Sequence, residues 1–188
     1  MKEKEVSSIL KEHGWRCDVD DAGDYYCIMD FGECQLQVIP SIGRRSDHFR
    51  ISLMPSVSSR LFSKHVGFIL GESRDHVPIS TANEVPKKIV DPTTADVLSA
   101  ADEAVSWALD QKIENGLTAY REMATDAKGA MPLRHLAALA MAGDVDRLKF
   151  YRDSFSQGNR LGFVPYVTSE MIDRALLIAE EMKGNGGN

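Results

Sequence analysis

At 188 residues, 43% hydrophobic and 27% charged, the chain can bury a sizeable core as one domain or as two small ones. A net charge of −6 argues against general nucleic-acid binding, which draws on a basic face, and fits a basic protein partner. No long apolar run marks a membrane span, the acid-and-lysine start MKEKEVSSILKEHG does not read as a signal peptide, and three unevenly spaced cysteines, Cys17, Cys27 and Cys34, are expected as reduced thiols in the cytoplasm.

In chain order, Val6, Ile9, Leu10 and His13 fall on one face of a predicted helix over residues 2–13, with Gly14 as its stop. Residues 16–24 read as a short acidic turn region. From Tyr25 to Met54 the pattern is that of a three-strand antiparallel meander. Cys34, Leu36 and Val38 alternate with Gln35 and Gln37, and Phe49, Ile51 and Leu53 alternate with Arg50 and Ser52, as in strands with one buried and one wet face. Tyr25 to Phe31 is apolar on both faces, which suits a central or covered strand. Gly32 and Glu33 supply the tight connection, and residues 41–47 a longer polar loop. Residues 56–70 carry both a helical stripe and an alternation through Val66, Phe68 and Leu70; the reading is a helical turn followed by a fourth strand. Residues 76–80 suit an edge strand, because Pro78 cannot donate to a ladder.

From residue 91 the period is helical. Asp91 or Thr93 caps a helix faced by Val97, Ala101, Val105 and Leu109, extending toward Met123 with a break at Gly116. Residues 125–130 form a linker. Residues 131–142 and 144–155 form a helical hairpin around Gly143, with Asp144 as N-cap. Residues 158–167 are irregular, Thr168 caps a last helix, and GNGGN is a frayed tail. The fold class is therefore α+β: an N-terminal helix and antiparallel β-meander over residues 1–92, then an all-helical part over 93–188, packed as one globular unit.

Motifs for chemistry are sparse. Asp18, Asp20 and Gly23 match the start of a calcium loop, but Ala22 and Met29 stand where further ligands belong, so an acidic turn is the reading taken. The pairs Asp47-His48 and Asp75-His76 would point to opposite faces if they lie on strands, so neither is a dyad by itself. His13 and Cys17, with Cys27 or Cys34, could approach one metal, but no paired zinc-ligand unit exists. No glycine-rich phosphate loop is present. The expectation is no catalytic residue, no metal and no cofactor. Candidate binding residues are Arg44 and Arg45 on a loop tip, and Phe163 and Tyr166 in the irregular segment.

Over residues 1–90 the segments ILKEHGW, DVDDAGDYYCIMDF, CQLQV and FRISL, in their order, resemble the bacterial type III secretion chaperone and YbjN-like fold. That resemblance implies a small acidic cytosolic protein that binds a partner chain along sheet or helix surfaces without catalysis. The helices beyond residue 115 depart from it. An immunity or antitoxin-like protein that neutralises a toxin is the alternative, and a small hydrolase using His48 and His76 is a third reading. The expected partner is another protein, an effector or a toxin, with neither nucleic acid nor membrane; homodimerisation is left open.

Overall fold

The computed structural model describes residues 1–185 and shows an α+β fold. The elements run α1 (Glu3–Glu12), β1 (Arg16–Val19), β2 (Tyr25–Phe31), β3 (Cys34–Val38), β4 (Ser41–Arg44), β5 (Phe49–Ser52), β6 (Ser56–Ser59), α2 (Arg60–Leu70), β7 (Ser80–Thr81), β8 (Lys87–Ile89), α3 (Thr94–Leu109), α4 (Ile113–Arg121), α5 (Met131–Met141), α6 (Val145–Ser156) and α7 (Ser169–Asn185). The last helix includes the first two residues of the expected frayed tail; residues 186–188 lie outside the described residues. Among the described residues no helix is long and apolar enough to cross a membrane.

Two compact units interleave along the chain. One takes Met1–Ser59 and Pro78–Lys112; the other takes Arg60–Val77 and the residues from Ile113 onward. The division therefore differs from the expected one at residue 92. Helix α3 belongs with the strands, because Val97, Ala101 and Ala104 on its apolar face are buried against that unit's core. Helix α2 belongs with the later helices, packing on α5 and α7.

In the first unit the meander is divided between two antiparallel sheets, ordered β1-β2-β3-β6-β7 and β4-β5-β8. Its register explains why. Cys34 faces Ser59 and Gln37 faces Ser56; Ser41 faces Ser52 and Arg44 faces Phe49. One constant register thus runs through β3–β4 and β5–β6, which form a single long hairpin broken in the middle. Pro40 and Pro55 cannot donate to a ladder, and Met54 takes φ 44°, so the pairing is interrupted there and the outer half turns away. The expected loop over 41–47 is accordingly mostly β4. The carboxylate of Glu84 fills the break: its Oε2 accepts the Ser52 hydroxyl at 2.7 Å and the backbone N–H groups of Leu53 at 3.0 Å and Met54 at 2.8 Å. Leu36, Val38, Ile51 and Leu53 are buried as their alternation requires, with Val6 and Leu10 of α1. Phe49 is only half-buried. Gln35, expected on a wet face, is buried, and its amide donates to Asp30 Oδ1 at 2.9 Å.

Two further expectations are corrected. The acidic turn region contains β1, an edge strand in register with β2, which places Cys17 directly opposite Cys27 with Cα atoms 4.0 Å apart. The two form a disulfide, so only Cys34 is a free thiol. Residues 56–70 hold a strand and then a helix, the reverse of the expected order. Phe62, Val66 and Ile69 recur at helical spacing and are buried. Gly67, which weakened the helical reading, is required there by packing: a Cβ would lie 2.6 Å from the Glu72 carbonyl oxygen as the chain folds back.

The second unit is built on α5, which contacts α2, α4, α6 and α7 and is buried on nearly every side from Pro132 to Ala140. Gly143, at φ 66°, turns the chain into α6, whose N-cap Asp144 accepts from the Arg147 N–H. Thr93 caps α3 in a capping box with Asp96, and the helical run breaks at residues 110–112, before Gly116.

Two outcomes are expected. Native protein under non-reducing conditions should titrate as one thiol, and replacing Cys17 and Cys27 by serine should cost about 3 kcal/mol in denaturant unfolding, from the short loop the bridge closes. Glu84→Ala should cost about 1–3 kcal/mol in the same measurement, since it leaves the buried Leu53 amide without its acceptor, while the Met54 amide keeps a longer contact to the Ser52 hydroxyl.

Candidate functional site

Arg44 and Arg45 end β4 and enter the turn to β5, where the Arg45 N–H donates to the His48 carbonyl at 2.8 Å. The turn also brings together Asp47 and His48, whose Nδ1 lies 2.7 Å from the Asp47 carboxylate. The expected divergence of this pair fails because the two residues sit in the turn and not along a strand. That hydrogen bond from His48 is the main reason the Asp47 carboxyl is held below its ordinary pKa.

Register shows what the sequence concealed. Gly43, Arg50 and Lys88 are direct partners across β4, β5 and β8 and so share one face of the outer sheet. Gly43 carries no side chain, and a Cβ there would sit 3.8 Å from the Cβ of Arg50, leaving the guanidinium stem uncovered. Arg44 stands opposite Phe49 on the other face, beside a cleft of about 270 Å³ that Glu3, Ile42 and Phe49 also line. The β4–β5 hairpin and β8 together carry five basic residues and one acid, in a chain whose total is −6. Arg44, Arg45, Arg50 and Lys88 are all exposed, and among the described residues none of the four has a carboxylate within ion-pair distance. Only Lys87 is paired, with Glu103 of α3. The arrangement is a cationic platform whose charges are uncompensated from within.

Phe163 and Tyr166 part in exposure, the first buried and the second open to solvent. Phe163 is buried among Tyr151, Phe155 and His135, at ring separations of 5.2, 5.8 and 6.3 Å. Tyr166 is partly exposed, but its hydroxyl donates to the Gly129 carbonyl at 3.0 Å and ties two loops together. Arg160 holds the same segment from within, donating to the carbonyls of Val164, Pro165 and Val167.

The acidic turn uses its own oxygens: Asp20 Oδ1 accepts the N–H groups of Ala22 and Asp24, both at 2.9 Å. His13 Nδ1 lies on the Ile9 carbonyl, and Cys17 is in the disulfide. Among the described residues no group of three or more metal-ligating side chains is assembled. Of the two histidines expected in a hydrolase, His48 belongs to the first unit and His76 to the second.

One buried histidine went unread in the sequence. His135, fully enclosed on α5, sits in a polar chain of one consistent polarity: Arg147 Nε donates to the Tyr151 hydroxyl at 2.9 Å, that hydroxyl to His135 Nε2 at 3.0 Å, and His135 Nδ1 to the Tyr120 carbonyl at 2.7 Å. Its only sequence signal was a histidine inside the apolar run of α5. Burial lowers the pKa of His135, with the Arg147 cation adding to it. Burial likewise lowers His65, and burial with Arg134 takes His76 from 6.5 down to about 4. His76 is therefore neutral in the folded protein between about pH 4 and 6.5, where the unfolded chain would be protonated. Stability should be full above about pH 6.5 and fall as pH drops toward about 4, by up to about 3 kcal/mol for His76 alone. Denaturant unfolding followed across that window checks this, and His76→Gln should flatten the profile.

No curated protein and no solved structure matches the chain. A family pattern matches residues 2–180, and on that match the chain belongs to the family of unknown function DUF6990.

Proposed function

We propose that the protein works by binding another protein, without turnover, and that the outer sheet β4-β5-β8 is where an acidic segment of that partner docks. The observation that carries the reading is the cationic platform: Arg45, Arg50 and Lys88, with Arg44 at its margin, stand exposed without ion pairs in an otherwise acidic chain. Arginines so placed offer forked donors to carboxylates, and a charged patch of this kind speeds encounter and selects the partner more than it adds affinity. The likeness of the helix-and-meander order to secretion chaperones supports a role in holding an effector chain.

The test is a titration of ¹⁵N-labelled protein with acetylated hexaglutamate amide, alongside a single-stranded oligonucleotide. The expected result is saturable shifts at Gly43, Arg50 and Lys88 that weaken with salt, and a loss of about tenfold or more in affinity in the Arg50→Glu, Lys88→Glu double variant. No hexaglutamate binding at low salt would sink the proposal, and so would tighter binding of the oligonucleotide at the same residues.

A further inference from the structure

Beside the outer sheet, the loop between β7 and β8 and one side of α3 enclose a cleft of about 240 Å³. Ala100 and Ala104, one helical turn apart and nearly covered, line it together with Pro55 and Trp107. Two carboxylates, Glu84 and Glu103, line it as well. The cleft thus combines apolar and anionic lining, which matches a flexible hydrocarbon stem ending in a cation.

Both carboxylates have capacity left. All three hydrogen bonds to Glu84 fall on Oε2, and among the described residues Oε1 accepts none. Glu103 pairs with Lys87, whose ammonium reaches over from β8. That internal contact shows Glu103 accepting a primary ammonium and identifies a competitor for it. Val85, next to Glu84, is 81% exposed, so apolar surface at the rim is left open.

We infer that this cleft receives a lysine side chain of a protein partner, its stem on Ala100, Ala104 and Trp107 and its ammonium shared by Glu84 and Glu103. The inference rests on the protein-binding reading only for the chain that bears the lysine; the recognition belongs to the cleft. A Trp face beside the stem adds attraction for the cation. Lys88 of the outer sheet adjoins Lys87, which reaches Glu103, so one partner segment with charges of both signs would satisfy both.

The experiment follows the Trp107 indole N–H resonance, assigned with Trp107→Phe, as ¹⁵N-labelled protein is titrated with acetyl-Gly-Lys-Gly-amide, its norleucine counterpart and its arginine counterpart. The lysine peptide should give a saturable shift, and the norleucine peptide, equally apolar but uncharged, should bind about tenfold more weakly. Glu103→Gln should weaken the lysine peptide about threefold, whereas Lys87→Ala, or Lys87→Gln if alanine perturbs the fold, should tighten it about threefold by removing the competing ammonium. Opposite effects from the two partners of one ion pair would not arise from a merely structural role. Equal binding of the norleucine peptide, preference for the arginine peptide, or no saturable shift in both the parent protein and the Lys87 variants would each overturn the inference. The hexaglutamate titration reads different resonances, so either result can fail while the other stands.

Discussion

A long hairpin cannot change direction without releasing backbone groups from its ladder, and the first unit meets that constraint at one place. The register of β3–β4 against β5–β6 never shifts, yet two prolines and the left-handed Met54 interrupt the pairing between its halves. Glu84 then takes up the amides of Leu53 and Met54 with a single oxygen. A charge-assisted acceptor suits this task, because a buried or half-buried N–H left without a partner costs more than an ordinary hydrogen bond contributes. Everything proposed about function depends on that break. It turns the outer half of the hairpin into a separate small sheet, presents Arg50 and Lys88 away from the core, and places Glu84 in the lining of the cleft.

The second unit meets a different constraint. Helix α5 is buried on almost all sides, so any polar group it carries must find partners inside. His135 does so through a chain that begins at the Arg147 guanidinium and ends at a backbone carbonyl of α4. Because a carbonyl can only accept, the contact with Tyr120 puts a proton on Nδ1 of the imidazole. Protonating the ring would place a second hydrogen against the Tyr151 hydroxyl, which already accepts from Arg147.

Local signals in the sequence were read well, and signals that depend on distant pairing were not. The caps Thr93, Asp144 and Thr168 and the turn at Gly143 act within a few residues, and each lies where its chemistry indicates. The strand β1 was concealed by the acids around it, and with it the disulfide, because Cys17 and Cys27 meet only once β1 pairs with β2. At Gly67 intrinsic propensity pointed away from helix, while the deciding factor was the close return of the chain at Glu72. Arg44 and Arg45 were legible as a pair by adjacency, but Lys88 meets Arg50 only through register across a gap in sequence. Phe163 looked available for contact because an irregular segment gives no periodicity from which to infer burial.

The interleaving of the two units has a consequence for the order in which the chain matures during synthesis. Residues 1–59 emerge first, yet their unit lacks α3 until residue 112 has been made, and α2 emerges in between. The nascent chain must therefore carry Phe62, Val66 and Ile69 as sticky, unsheltered side chains while the helices that cover them, α5 and α7, are still untranslated. No single cut separates one unit whole from the other. The first unit is complete in sequence at residue 112, so it can close while α2, already made, still waits for the helices from Ile113 onward.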